Sequence, residues 1–217
     1  MLFRRELSVL VARRPSGEAV AWPVVESIQV NSVCDEVIAP AQDLTDDVAH
    51  AVTAAALRLA ESLGVTGVMA VELFEVPGSD AGYLVNELAM RPHNSGHWTM
   101  DGSVTGQFEQ HLRAVLDLPL GATDLVGTHT VMKNVLGGRA TDSYSAYPSA
   151  LSADPSAKVH FYGKDVRPGR KIGHVNALAA PGESVDAVRT RATRVAALLR
   201  DGTEPDPARS TGPKGTQ

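Results

Sequence analysis

The densest chemistry in this sequence lies in one run, Val85 to Trp98, reading VNELAMRPHNSGHW. It places a carboxylate (Glu87), a guanidinium (Arg91), two imidazoles (His93, His97), two amides (Asn86, Asn94) and a hydroxyl (Ser95) in one apolar-flanked segment. A strand and a turn need none of these groups, and charged side chains are seldom fully buried unless paired. The run therefore predicts a wet, ligand-bearing cleft. Just upstream, Glu72 interrupts the otherwise apolar stretch Val68 to Phe74, VMAVELF. An unpaired buried carboxylate there is unfavourable, so Glu72 requires a cation, a donor or an open cleft. Glu72 and Glu87 on adjacent strands, with the Asn86 amide beside them, form an oxygen set suited to Mg²⁺, which keeps several waters and completes its shell with substrate phosphates. The alternative is a pair of strand-end glutamates facing solvent. Strict alternation sends Asn86 and Glu87 to opposite faces, so both can act only if the strand ends or bulges between them.

Histidines four apart, as His93 and His97 are, suggest zinc when they lie on a helix. Pro92 and Gly96 argue against a helix here and no third ligand is near in sequence, so a loop of donors for a phosphate or sugar fits better. A third cluster spans Lys164 to His174, KDVRPGRKIGH. Lys164, Arg167, Arg170 and Lys171 sit close together in an otherwise acidic chain. Arg offers bidentate donors to phosphate or carboxylate and Lys a point charge; the alternative is a solvated basic turn.

The elements that must hold these groups follow from periodicity. Glu6 to Ala12 reads as a strand, Arg14 to Gly17 as a turn, and Glu18 to Trp22 as the returning partner. Glu36 to Ala39 is extended. Thr45 is the N-cap of a helix with Asp46 and Asp47 in its first turn and Gly64 past its end, presenting Val48, Val52, Ala55, Leu59 and Leu63. Gly67 to Phe74 is a buried strand, and Tyr83 to Leu88 returns antiparallel to it. Thr105 to Leu116 is a helix presenting Phe108, Leu112 and Val115. The segment 117–127 has the Pro and Gly content of a linker. Strands follow over Thr130 to Leu136, Val159 to Tyr162 and Ile172 to Leu178. Ser184 caps a last helix to Leu199 with Val188, Ala192, Val195 and Leu199 on one stripe, and the tail from Asp201 is expected to be disordered.

With 43% hydrophobic and 21% charged residues and a net charge of −5, the sequence has no basic stripe for nucleic acid and no overall pull toward a membrane. No apolar run reaches the roughly 20 residues a membrane helix needs. The single Cys34 excludes an intrachain disulfide and suits a reducing cytoplasm. The expectation is a soluble cytoplasmic protein.

Together, VELF at Val71 to Phe74, the Asn86 to Trp98 run, QFEQHLRA at Gln107 to Ala114 and RPGRKIGH at Arg167 to His174 resemble the N5-carboxyaminoimidazole ribonucleotide synthases, ATP-grasp carboxylases of purine synthesis. The resemblance runs from about Phe3 to Leu199. It implies an α+β fold, with the C-terminal part of an ATP-grasp domain (an antiparallel sheet with packed helices, 1–120) and a small α/β C-terminal domain (128–199), before a tail at 201–217. It implies ATP and Mg²⁺ as cofactors, 5-aminoimidazole ribonucleotide and bicarbonate as substrates, carboxyphosphate as the intermediate, and a homodimer for the full-length enzyme. By position, Glu72 and Glu87 resemble the Mg²⁺ ligands. Glu6 resembles the residue that grips the nucleotide ribose, and Asn86, Glu87 and Gln29 fall in the ATP site. Arg91, His93 and Lys171 resemble the catalytic groups; Asn94, Ser95, Arg167 and Arg170 resemble those facing the substrates.

Three departures accompany the resemblance. Gln29 stands where some relatives have a nucleotide-contacting His, and Met90 where many have Pro. No Gly-rich phosphate loop of the ATP-grasp kind precedes Glu6. The expectation is thus a C-terminal portion that alone neither binds ATP tightly nor turns over. Another ATP-grasp ligase, such as a formate-dependent glycinamide ribonucleotide transformylase, would use the same glutamate pair, and a non-catalytic remnant would retain the motifs without activity.

Overall fold

Leu7 to Ala12 is buried at every position, Ser8 included, so this strand is covered on both faces. The computed structural model describes residues 3–140, 142 and 144–203. Its elements in chain order are β1 (Arg5–Arg13), β2 (Ala19–Ala21), β3 (Val25–Val30), β4 (Val33–Ala39), α1 (Asp46–Ser62), β5 (Gly67–Glu75), β6 (Tyr83–Ala89), a 3-10 turn (Asn94–Gly96), α2 (Thr99–Gly102), α3 (Gln107–Val115), β7 (Thr130–Leu136), α4 (Tyr147–Ala153), β8 (Lys158–Phe161), β9 (Lys171–Leu178) and α5 (Val185–Asp201). Among the described residues the strands form one sheet in the order β6-β5-β1-β3-β4-β7-β9-β8, with β2 paired to β1, and every named pair is antiparallel.

One face of the sheet is covered by helices. Leu7, Val9, Val11, Met69, Val71 and Leu73 pack with Val52, Ala56 and Ala60 of α1. Further along, Val131 and Ala177 pack with Val188 and Ala192 of α5. Thr45 caps α1 by accepting from the Val48 N–H, and Ser184 caps α5 by accepting from the Ala187 N–H, each satisfying an otherwise orphaned donor. The opposite face carries Leu10, Ala12, Val37, Val68, Ala70 and Met132, closed over by Trp22 and Trp98. The indole of Trp22 donates to the Thr105 carbonyl at 3.0 Å, tying the residues before α3 to that face.

Three ladders are interrupted by register shifts: β3 against β4 at Ile28/Gln29, β5 against β6 at Glu72/Leu73, and β7 against β9 at Val135/Leu136. In each an extra residue (Asp35, Asn86, Ile172) is left out of the pairing, and the residue beyond it changes face. The shift at Asn86 is the bulge that the glutamate pair requires.

Several expectations are corrected. α3 turns its Gln107, Gln110 and Ala114 inward, and Phe108, Leu112 and Val115 are exposed. Hydrogen bonds decide the orientation, because Gln110 exchanges two bonds of 2.8 Å with the backbone of Gly121 and Gln107 does the same elsewhere. Leu63 lies past the end of α1 and is exposed; Ala56 and Ala60 complete the buried face instead. β3 and α4 carry too little periodicity to be read from the sequence. The segment 117–127 leads into β7, which pairs with β4 from Glu36↔Lys133 to Ala39↔Thr130, so the 1–120 and 128–199 units share one sheet. Asp201 ends α5, with Gly202 as its left-handed cap; the expected disorder of the tail from 204 onward falls outside the described residues.

Candidate functional site

On the face opposite α1 and α5, polar residues form a row that crosses the strands. The paired positions run Glu87 (β6), Glu72 (β5) and Ser8 (β1) on one side. They continue through Glu6 and Ser27, then Gln29 and Cys34. Asn134 (β7), His174 (β9) and His160 (β8) finish the row. The loop from His93 to His97 lies over it. His93 Nε2 is 3.6 Å from Glu72 Oε1, and the Ser95 and Ser8 hydroxyls are hydrogen-bonded at 2.7 Å. Asn94 Nδ2 donates to Asn134 Oδ1 at 3.1 Å, Asn134 Nδ2 returns a bond of 2.9 Å, and Lys171 Nζ donates to Asn94 Oδ1 at 3.2 Å. His97 stacks on His174 with ring centroids 4.8 Å apart.

The bulges set these contacts. Without the extra Asn86, Glu87 would point away from Glu72; without the extra Ile172, Lys171 would point into the α5 side, where Ile172 is buried instead. Burial pushes the Glu72 carboxyl above its ordinary value, and the negative charges of Glu87 and Glu6 push it the same way. Burial raises Glu6 as well, against a hydrogen bond from Gln29. The charges of Lys171 and Arg91 only partly offset this rise at Glu72, and the all-oxygen donor set of Glu72 and Glu87 fits a hard ion such as Mg²⁺.

The histidines are held neutral. Burial, reinforced by the charges of Arg91 and Lys171, lowers His93 to about 4. Burial and the neighbouring His93 and Lys171 lower His97 to about 4. His174 lies between His97 and His160 and is lowered to about 2, burial again being the main cause.

The positions singled out in the sequence divide into two groups. Glu6, Gln29, Glu72, Glu87, His93, Asn94, Ser95 and Lys171 come together on this face, and Arg91 acts on Glu72 and His93 through its charge while, among the described residues, its side chain donates to the Pro92 carbonyl alone. Asn86 is the exposed bulge residue. Arg167 and Arg170 are not brought into the network. Their loop is fixed through its backbone, since Gly137 N–H donates to the Arg170 carbonyl at 2.8 Å and Gly169 N–H to the Gly137 carbonyl at 3.0 Å. Among the described residues their side chains reach only Asp165. Gly137 has to lack a side chain, as a Cβ there would meet the Arg167 carbonyl oxygen at 2.1 Å.

Ser8, Gln107 and Asn134 are site-forming residues that the sequence reading passed over. Each is at most 4% exposed; Ser8 and Asn134 are polar residues within apolar strands, the same signal that exposed Glu72, whereas Gln107 lies off the apolar stripe of its helix and carries no such signal.

An antiparallel sheet with packed helices, carrying clustered carboxylates on one face and crossed by a donor loop, places the fold in the ATP-grasp class. The family model "ATP-grasp domain" matches residues 1–108, and "Phosphoribosylaminoimidazole carboxylase C-terminal domain" matches residues 130–188. The chain belongs to the N5-carboxyaminoimidazole ribonucleotide synthase family. It is 57% identical over 187 residues to that synthase of Mycobacterium tuberculosis, covering 82% of this chain and 42% of the relative. The structure of the Thermus thermophilus synthetase matches with a TM-score of 0.79 at 38% identity, over 94% of this chain and 53% of that one. The Aspergillus clavatus synthase in complex with ADP and 5-aminoimidazole ribonucleotide matches with a TM-score of 0.75 at 35% identity, over 91% and 52%. The chain thus spans about half the length of the relatives it matches.

Proposed function

We propose that this chain supplies the C-terminal part of an ATP-dependent carboxylase that converts 5-aminoimidazole ribonucleotide and bicarbonate to N5-carboxyaminoimidazole ribonucleotide, in a cytoplasmic homodimer. In this reading residues 1–120 belong to the ATP-grasp domain and 128–199 to the small C-terminal domain. The observation that carries it is the Glu72–Glu87 pair beside the His93–Ser95 loop, with Lys171 bonded to Asn94. The substrate assignment is supported by the relative solved with ADP and 5-aminoimidazole ribonucleotide.

Glu72 and Glu87 would hold Mg²⁺, which when bound supplies positive charge to the phosphate oxygens of ATP. Glu6 and Gln29 lie two and three strands along the same face, where the nucleoside end of ATP is placed. The γ-phosphoryl group passes to a bicarbonate oxygen, giving carboxyphosphate and ADP. The carboxyl carbon then becomes bonded to the exocyclic amine nitrogen, which gives up one proton, and the carbon–oxygen bond to the phosphate breaks so that hydrogen phosphate leaves. Three anions are thereby brought close together, and Arg91 and Lys171 offset that charge from fixed positions. His93 and Asn94, held by buried partners, present donors to bicarbonate and the aminoimidazole without reorganising, and Ser95 secures His93. Arg167 and Arg170, exposed on the anchored loop, reach the ribonucleotide phosphate.

The test joins this chain to the part of the Mycobacterium tuberculosis relative that lies outside the matched region. ADP release that depends on both bicarbonate and 5-aminoimidazole ribonucleotide is expected. A folded chimera that hydrolyses ATP without responding to either would overturn the assignment, and the glycinamide ribonucleotide with formate is the control substrate pair.

A further inference from the structure

Gln107 begins α3 with its side chain fully buried. Its Oε1 accepts the backbone N–H of His93 at 2.9 Å, and its Nε2 donates to the carbonyl of the same residue at 2.9 Å. These main-chain partners fix which end of the amide is which, because a backbone N–H only donates and a carbonyl only accepts. Nε2 also stands 2.9 Å from Nδ1 of His97. An amide nitrogen has only protons to offer, so Nδ1 of His97 accepts and the ring proton resides on Nε2. At His93 the same logic holds locally. The Ser95 backbone N–H points at Nδ1 at 3.3 Å, which leaves the proton on the nitrogen facing Glu72.

The amide has no alternative position. A Cβ on Gly96 would fall 2.4 Å from Gln107 Oε1 and 2.2 Å from Leu10 Cδ2, so the glutamine packs against bare backbone. Thr99 locks the corner, its hydroxyl accepting the Gln107 N–H at 2.8 Å and donating to the Gly96 carbonyl at 2.6 Å. His97 also borders a cavity of about 520 Å³ with Phe108, His160, Tyr162, Lys164 and His174. Among the described residues its Nε2 has no hydrogen-bond partner.

We infer that Gln107 is a positioning residue that holds His97 as its Nε2–H tautomer, so that the ring meets this cavity with a proton rather than a lone pair. His93 and His97 are then two donors, and neither offers a metal ion a free nitrogen in this arrangement. The bearing on catalysis rests on the carboxylase reading; the tautomer does not, and it is measured without substrate.

The experiment is a long-range ¹H–¹⁵N correlation spectrum of the histidine-labelled chain at a pH above 7, with His97 assigned by its loss in His97→Gln. In the wild type, Nδ1 of His97 is expected unprotonated and Nε2 protonated. Gln107→Glu replaces the donor by an acceptor and is expected to invert the tautomer to Nδ1–H. Gln107→Met, which offers neither, is expected to release the ring to a mixture like that of exposed His50, which stays unchanged throughout. A wild-type spectrum showing Nδ1–H at His97 overturns the inference even if neither variant folds. A His97 signal that does not move in a folded variant overturns the positioning role.

Discussion

Glu72 and Glu87 face one another across β5 and β6 because Asn86 is left out of the ladder. The two carboxylates share one face of the sheet with Glu6, and no acidic neighbour of Glu72 is compensated within hydrogen-bond reach by Lys171, which bonds Asn94 instead. Such an arrangement is unfavourable for the empty protein and favourable for one holding a cation.

Glu87→Gln removes one of the charges that raise Glu72, so the Glu72 carboxyl is expected to titrate at lower pH in the variant. Carboxyl-carbon NMR of the wild type and variant measures this directly. In the chimeric enzyme the same change is expected to weaken use of MgATP far more than binding of the ribonucleotide. An unmoved Glu72 titration would mean that the pair does not share a site.

Lys171→Met keeps most of the stem but removes a charge that depresses both His93 and His97. Both histidines are expected to titrate at higher pH, though burial keeps them below an exposed imidazole. The lost hydrogen bond from the charged ammonium to Asn94 is worth about 1.5–3 kcal/mol of stability, so folding of the variant is checked by its urea midpoint. Handling of the ribonucleotide or carboxyphosphate in the chimera should suffer; unchanged kcat and KM would remove Lys171 from the site.

Acid should weaken the fold through its buried histidines. His93, His97 and His174 are held below their unfolded value of roughly 6.5, the first two at about 4 and the last at about 2. Between those limits the unfolded chain binds protons that the folded chain refuses, so stability is full above pH 6.5 and falls as pH drops. Each such histidine contributes a slope of up to about 1.4 kcal/mol per pH unit. Urea denaturation at pH 7, 6 and 5 checks the sign, and His174→Gln should flatten the slope. A chain equally stable at pH 7 and 5 would contradict the burial of these rings.

Gly96→Ala is a steric test. The new methyl would overlap Leu10 and the Gln107 amide, and overpacking of this kind typically costs about 1–3 kcal/mol. A lowered urea midpoint with an unchanged slope is expected, together with loss of the His97 tautomer. A variant as stable as the wild type would show that the corner is looser than its contacts indicate.

The sequence alone determined the elements whose signals are local. Thr45 and Ser184 mark helix starts through their own hydroxyls, short apolar runs mark β1, β5, β7 and β9, and Val188, Ala192, Val195 and Leu199 mark the buried stripe of α5. It also singled out Glu72, by the cost of a carboxylate in an apolar strand, and the run from Asn86 to His97, by its density of polar groups. The tertiary structure decided what those groups meet. A bulge shifts the register of one strand against its partner, so the face taken by Glu87, Cys34 and Lys171 depends on pairing with other strands and not on local sequence. The orientation of α3 was decided likewise. Its apolar residues form a convincing stripe, yet Gln107 and Gln110 turn inward because the His93 and Gly121 backbones present groups that only an amide there can satisfy, and an unpaired buried peptide group is more unfavourable than an exposed leucine.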